Sequence, residues 1–242
     1  MIAAVALFLL VVSASCADAA APVPPPGGWR VAELARGARG AYMLVPPTYA
    51  PGKPSPLVVL LHGAGKGAAD AAAALSAADF DSLKGQRALL LIPESRGTTW
   101  DAGSSAPFRQ DLPLIASSLQ QAFRGFSVDA RRVSLFGFSD GATYALSIGL
   151  GGPRVFGAVA AVAPGGFLPP AQGTAGGAPP RVLVAHGTKD GLFPIGQTSR
   201  KIVPQLKTVL PKGAEVKYIE FDGGHEVTAG VSRQAVEWLL KQ

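Results

Sequence analysis

Cysteine, histidine and charged residues are all scarce in this chain of 242 residues. It has one cysteine, Cys16, and three histidines, and charged residues make up 16% of the sequence. A single cysteine excludes a disulfide framework, and three dispersed histidines provide no metal-ligand spacing. No glycine-rich phosphate-binding fingerprint follows the first buried strand. We therefore expect the protein to use neither a metal nor another cofactor.

The basic residues are numerous but scattered. Twenty-two lysines and arginines stand against 16 acidic residues, so the formal net charge is +6. They form no run and do not alternate with aromatic residues, as nucleic-acid-binding segments often do, so we expect no nucleic-acid partner. The length and the 48% hydrophobic content suit one large α/β domain. The sequence leaves the oligomeric state open.

Residues 1–21 have the pattern of a signal peptide. The apolar run Ile2–Val12 is too short to cross a bilayer, and Ala17-Asp18-Ala19 fits a cleavage site. We predict export to the periplasm or the extracellular space, without stable membrane insertion. Ser13-Ala14-Ser15-Cys16 resembles a lipoprotein cleavage box, so a lipid anchor on Cys16 is the alternative. A Pro/Gly-rich linker is predicted over residues 22–28.

Strand and helix patterns alternate through the remaining domain, residues 29–242. The predicted strands are Arg30–Leu34, Gly40–Val45, Leu57–Leu61, Ala88–Ile92, Arg132–Phe136, Gly157–Val162, Arg181–Ala185 and Glu215–Phe221. The predicted helices are Ala68–Leu83, Pro107–Phe126, Asp140–Gly149, Ile195–Val209 and Val227–Leu240. This alternation indicates an α/β fold with a mostly parallel central sheet and helices on both faces. Ligands bind such sheets beyond the carboxyl ends of the strands.

The pentapeptide Gly137-Phe138-Ser139-Asp140-Gly141 lies between a predicted strand and a predicted helix. A serine on so sharp a turn adopts a strained backbone, and its hydroxyl projects from the sheet edge. Glycines two positions before and after it remove side chains that would clash there. The positive end of the following helix points at the same place, where it favours a negatively charged oxygen. Ser139 is therefore the candidate nucleophile.

A serine nucleophile needs a base, and the base needs an acid that orients it. In this kind of fold the chain order is serine, acid, histidine. His225 is the only histidine that follows both Ser139 and Asp190, which makes it the candidate base. Asp190 is the candidate acid because it alone comes just after a strand of its own. The acids set aside between Ser139 and His225 are Asp140, Glu215, Glu220 and Asp222.

Two backbone N–H groups are needed to bind an oxyanion. We expect them from Asp140, which follows the nucleophile, and from Ala64, in the loop after the Leu57–Leu61 strand. Trp100, Phe167 and Leu168 are candidates for the substrate pocket, although Trp100 could equally anchor its own loop. The segment Gly165–Pro180 is too short for a large lid, so a small lid or none is predicted.

Four motifs together resemble the α/β-hydrolase superfamily. They are Leu60-Leu61-His62-Gly63-Ala64-Gly65, the pentapeptide around Ser139, the run from His186 to Pro194, and Gly223-Gly224-His225. The chain is most similar to the small phospholipase/carboxylesterase group, with a further likeness to dienelactone-hydrolase and polyhydroxybutyrate-depolymerase-type esterases. The resemblance covers about residues 39–242. It departs at Asp140, where the carboxylesterase group often has glutamine, but a main-chain N–H at that position is unaffected.

The resemblance implies an α/β-hydrolase fold and a serine carboxylic-ester hydrolase that acts through an acyl-enzyme on a small-molecule ester. No candidate pocket segment offers a long apolar channel, so short acyl esters are the expected substrates. A polyester depolymerase or a serine peptidase with the same triad is one alternative. The other is a non-catalytic binding protein on the same fold, which predicts a broken triad.

Overall fold

The computed structural model describes residues 22, 24–25, 27–35, 39–151, 155–168 and 178–241. The predicted leader, with Cys16, lies outside these residues, as does part of the predicted linker. Throughout the described part of the chain, no helix combines the length and the apolar character needed to cross a membrane.

A single eight-stranded sheet runs through the described residues. Its strands are β1 (Arg30–Ala35), β2 (Ala41–Val45), β3 (Ser55–Leu61), β4 (Leu89–Pro93), β5 (Val128–Phe138), β6 (Ala158–Val162), β7 (Arg181–Gly187) and β8 (Val216–Phe221). Their order across the sheet is β1-β2-β4-β3-β5-β6-β7-β8. Strand β2 pairs antiparallel with β1 and β4, and the pairs from β4 to β8 are parallel. The mostly parallel sheet predicted from the sequence is thus confirmed.

Helices cover both faces of the sheet. They are α1 (Ala68–Ala73), α2 (Ala77–Gly85), α3 (Asp111–Gly125), α4 (Asp140–Gly151), α5 (Ser199–Val209) and α6 (Ala229–Leu240). The single helix predicted over Ala68–Leu83 is wrong, since the chain breaks into α1 and α2. Ser76 begins α2 with a capping box: its hydroxyl accepts the Asp79 N–H, and the Asp79 carboxylate accepts the Ser76 N–H.

The core has two layers because neighbouring strand residues point to opposite faces. On β3, Leu57, Val59 and Leu61 pack in one layer with α3, α4 and α5. Val58 and Leu60 pack in the other layer with α1, α2 and α6. Strands buried on both faces read as continuous apolar runs, which explains why these strands were found from the sequence.

Candidate active site

Ser139 occupies the turn between β5 and α4 with a positive φ of 57°. Its N–H donates to the Val162 carbonyl at 2.9 Å, so the turn is tied to the end of β6. A Cβ at Gly137 would lie 2.2 Å from the Gly141 carbonyl oxygen, and a Cβ at Gly141 would lie 2.4 Å from the Leu61 carbonyl oxygen. Both approaches are too close for any side chain. The two glycines are therefore steric requirements of this turn.

The three residues selected from the sequence form one hydrogen-bonded chain. Ser139 Oγ lies 2.8 Å from His225 Nε2, and His225 Nδ1 lies 2.6 Å from Asp190 Oδ2. They follow β5, β8 and β7 respectively, so three strands deliver them to the same edge of the sheet. The Asp190 side chain is fully buried, whereas that of His225 is 17% exposed. This arrangement presents the serine hydroxyl to an imidazole that a buried carboxylate orients.

The Asp190 carboxylate is held on both oxygens. Oδ1 accepts the N–H groups of Leu192 and Phe193, at 2.9 and 2.8 Å. Oδ2 faces the imidazole of His225. Burial alone would raise the pKa of Asp190, but the Phe193 N–H and the His225 imidazole outweigh burial and lower it. The carboxylate is therefore ionised and fixed in one orientation.

His186 contacts the same oxygen of the Asp190 carboxylate as His225 does, and the sequence reasoning gave it no role. It is fully buried at the end of β7, with Nε2 3.1 Å from Asp190 Oδ2 and Nδ1 2.6 Å from Ser199 Oγ. Burial lowers the pKa of His186, so the ring is neutral. The signal available in the sequence was its place at a strand end, four residues before Asp190. The ring limits the movement of the carboxylate that orients His225.

Aromatic rings enclose the imidazole of His225. The ring of Phe138 lies 5.0 Å from it between centroids, and that of Phe193 meets it edge-on at 5.2 Å. Close backbone packing holds the His225 loop in place, since a Cβ at Gly187 would lie 2.2 Å from the Gly224 carbonyl oxygen. Sequence reasoning found neither phenylalanine as a neighbour of the base. Together these contacts restrict the imidazole to a position beside Ser139.

His62 shapes the loop after β3. Its Nε2 accepts the Ser95 N–H at 3.0 Å, so Nδ1 carries the proton and donates to the Gly63 carbonyl at 2.8 Å. Burial lowers the pKa of His62 to about 4, which keeps the ring neutral. A Cβ at Gly63 would lie 3.4 Å from Cβ of Ser139, so this loop lies directly against the serine. Ala64 is next along the chain, in an exposed turn.

Asp140 begins α4, where the N–H groups of the first turn have no acceptor within the helix. Its side chain accepts the Trp100 N–H at 2.7 Å. Burial raises the pKa of Asp140 to about 6, and this hydrogen bond offsets part of the rise. The backbone of Asp140 therefore stays beside Ser139, while its carboxylate points back into the protein.

Trp100 is an anchor of its loop, and the prediction that it lines an open pocket is corrected. The indole is only 2% exposed and packs against the rings of His62 and Tyr144, at 4.9 and 5.1 Å between centroids. Its Nε1 donates to the His62 carbonyl at 2.8 Å. The indole thus ties the loop after β4 to α4 and to the loop after β3.

A cleft of about 320 Å³ opens beside His225 and Gly63. Its lining includes Phe136 and Phe138, Ala71 of α1 and Ala74 just after that helix, and the charged residues Lys66 and Glu226. The structure does not bring the other two predicted pocket residues into this cleft. Phe167 packs on the core layer that contains α4, and the Leu168 N–H donates to Ser147 Oγ at 2.9 Å. Residues 169–177 of the predicted small lid lie outside the described residues.

Among the described residues, no three His, Cys, Asp or Glu side chains gather into a group that could hold a metal ion. The other three motifs quoted from the sequence, around His62, Asp190 and His225, lie near Ser139. Nucleophile, base, orienting acid and candidate backbone donors therefore lie within one small region. Such an arrangement suits acyl transfer through an activated serine.

No family model and no curated protein matches the chain in sequence. Solved structures do match in fold. Esterase PE8 is 23% identical, with a TM-score of 0.64, over 83% of this chain and 97% of that one. The fluorophosphonate-binding serine hydrolase F of Staphylococcus aureus is 13% identical, with a TM-score of 0.69, over 90% and 100%. An acetyl xylan esterase from Aspergillus awamori is 16% identical, with a TM-score of 0.63, over 88% and 99%. The protein has the α/β-hydrolase fold.

Proposed function

We propose that the protein is a serine carboxylic-ester hydrolase. The hydrogen-bonded chain Ser139–His225–Asp190, placed at the turn between β5 and α4, carries this proposal. A serine hydroxyl at neutral pH is a weak nucleophile unless a base takes its proton during attack. His225 is within hydrogen-bonding distance of that proton, and the ionised Asp190 stabilises the imidazolium that forms.

The proposed reaction passes through an acyl-enzyme. Ser139 Oγ attacks the ester carbonyl carbon while its proton moves to His225 Nε2. The carbonyl oxygen becomes an oxyanion and accepts the N–H groups of Asp140 and Ala64. The tetrahedral intermediate then breaks the bond to the alcohol oxygen, which takes the proton from His225. A water molecule then attacks the acyl-enzyme by the same two steps. This releases the carboxylic acid and restores the Ser139 hydroxyl.

The names of the similar structures support an ester as the substrate, since two of those reported are esterases and one is a serine hydrolase. A depolymerase or a peptidase with the same triad remains the alternative. A non-catalytic binding protein is disfavoured because all three triad residues are present and within hydrogen-bonding distance. Parallel assays on p-nitrophenyl esters, a polyester film and a peptide amide distinguish these activities.

We expect short acyl esters to be preferred. The cleft beside His225 is small, and the charged residues Lys66, Asp70 and Glu226 line it together with apolar residues. A long acyl chain would therefore leave methylenes in water. Each buried methylene contributes about 0.8 kcal/mol. Without such burial, kcat/KM should stay flat or fall beyond about four to six acyl carbons. The measurement is hydrolysis of p-nitrophenyl esters from acetate to dodecanoate, below the micelle threshold.

A matched variant tests the role of the cleft. Replacing Ala74 with phenylalanine narrows it, so activity on butyrate or hexanoate esters should fall more than activity on acetate. Ala78→Phe, at an exposed position of α2 outside the cleft lining, serves as the control. A steady rise of kcat/KM from acetate to dodecanoate would contradict the proposed preference.

We also propose that the protein is exported, from the leader pattern over residues 1–21. The mass of the protein recovered from the periplasm or medium should correspond to a chain that starts near Ala20, without lipid. A full-length chain retained in the cytoplasm would contradict export. A diacylglyceryl mass on Cys16 would instead establish the membrane-anchored alternative.

A further inference from the structure

A basic depression lies at the edge of the sheet opposite to Ser139. It has a volume of about 400 Å³ and is lined by Arg131, Arg132, Arg181, Lys241 and Asp129. Arg132 comes seven residues before Ser139, and β5 spans most of that separation, which at the rise of a strand corresponds to about 23 Å. The depression is therefore separate from the candidate active site.

Backbone carbonyls at the end of α6 hold two of the guanidinium groups. Arg132 Nη2 donates to the Leu240 carbonyl at 3.3 Å, and Arg181 Nη2 donates to the Lys241 carbonyl at 2.7 Å. In the part of the chain that the structure describes, no carboxylate lies within ion-pair distance of either guanidinium. Both positive charges are thus positioned, and no described carboxylate pairs with either of them.

One nitrogen of the Arg181 guanidinium lacks a hydrogen-bond partner among the described residues. This nitrogen, Nη1, is buried. The guanidinium lies over the indole of Trp238 at 5.5 Å, and Lys241 Nζ lies over the same ring at 5.6 Å. The indole of Trp238 therefore contacts two cations. A buried N–H without an acceptor is unfavourable, and a small movement of the Arg181 side chain toward the depression would let a ligand oxygen accept it.

The remaining charges are partly balanced. Lys241 Nζ lies 2.9 Å from Glu215 Oε1, and Arg131 Nε lies 3.7 Å from Asp129 Oδ1. The Arg131 side chain is 93% exposed, so it lies at the rim. The depression thus has a positive interior, from Arg132 and Arg181, and a rim of mixed charge.

We propose that this depression binds a phosphate group, either as free phosphate or as part of a small phosphomonoester. The planar donors of Arg132 and Arg181 match the oxygens of such a group, and arginine is well suited to phosphate recognition. A small movement of the Arg181 side chain lets one phosphate oxygen accept the N–H of Nη1. The volume is at the small end of the range of ligand sites, which suits a phosphate group with a short substituent.

Calorimetric titration of the full chain at low ionic strength tests this proposal. Inorganic phosphate and glycerol 3-phosphate are the two probes, and chloride at equal ionic strength is the reference. We expect saturable binding at one site for at least one probe. Arg132→Gln and Arg181→Gln should each weaken it about tenfold or more, since each removes a charge-assisted contact. Arg124→Gln, an exposed position on α3, should leave binding unchanged.

The two probes distinguish the sources of the phosphate group. Equal affinities indicate free phosphate, and tighter binding of glycerol 3-phosphate indicates a phosphomonoester. Circular dichroism checks that each variant is folded. If Arg181→Gln does not fold, Arg132→Gln alone tests the proposal. The proposal is overturned if neither probe binds saturably, or if both variants bind as the unaltered chain does.

Discussion

Replacing Ser139 with alanine is expected to lower kcat for ester hydrolysis by about 10⁶-fold, because a triad that lacks its nucleophile loses the acyl-enzyme route. The fold should survive, since one hydroxyl contributes little to the free energy of unfolding. The measurements are kcat on p-nitrophenyl acetate and the midpoint of thermal unfolding. A variant that hydrolyses the ester at the original rate would contradict the proposed mechanism.

A covalent probe identifies the nucleophile directly. A serine-reactive fluorophosphonate should label the unaltered protein at Ser139 and should not label Ser139→Ala. Ser134→Ala is a matched control, because Ser134 is a buried serine of the same strand and lies outside the hydrogen-bonded chain of Ser139. It should be labelled and active like the unaltered protein. Peptide mapping that places the label on another serine would show that the nucleophile was wrongly assigned.

Asp190→Asn should lower kcat by about 10³- to 10⁴-fold with a smaller effect on KM. Oδ1 of residue 190 accepts two backbone N–H groups, so the amide NH₂ of an asparagine would face His225. That NH₂ would donate to Nδ1 of His225, so the imidazole proton would have to be on Nε2. A protonated Nε2 can no longer accept the proton of Ser139. The measurement is kcat and KM on p-nitrophenyl acetate near neutral pH.

Asp222→Asn is the matched control for the acid. Asp222 is only three residues from His225, but its side chain is 77% exposed and pairs with Lys189 at 2.6 Å. An exposed ion pair contributes little, so this variant should keep nearly all activity. If Asp222→Asn lost more activity than Asp190→Asn, the assignment of the orienting carboxylate would be wrong.

Much of the sheet could be predicted because its strands are buried on both faces and form continuous apolar runs. The hydrogen-bonded trio could also be selected in advance. Only three histidines are available, and parallel strands bring their carboxyl ends to one edge of the sheet. The order of these residues along the chain and their places at strand ends can both be read from the sequence.

The surroundings of the trio depend on contacts between distant loops, which a sequence does not display. Trp100 is buried because its two N–H groups meet Asp140 and the His62 carbonyl, some 40 residues away on either side. Phe193 reaches the His225 ring through a loop whose path depends on Asp190. The break between α1 and α2 is different, since Ser76 and Asp79 have the spacing of a capping box that an alanine-rich pattern concealed.

The partly buried carboxylate of Asp140 links folding to proton uptake. Its pKa is about 6 in the folded chain, against an ordinary value of 3.8. Between these two values the folded chain retains a proton that the unfolded chain releases, so the contribution of this group to stability falls as the pH rises through that window. Above about pH 6 the folded protein carries a partly buried negative charge at the first residue of α4. As far as this group is concerned, mildly acidic surroundings therefore favour the folded state.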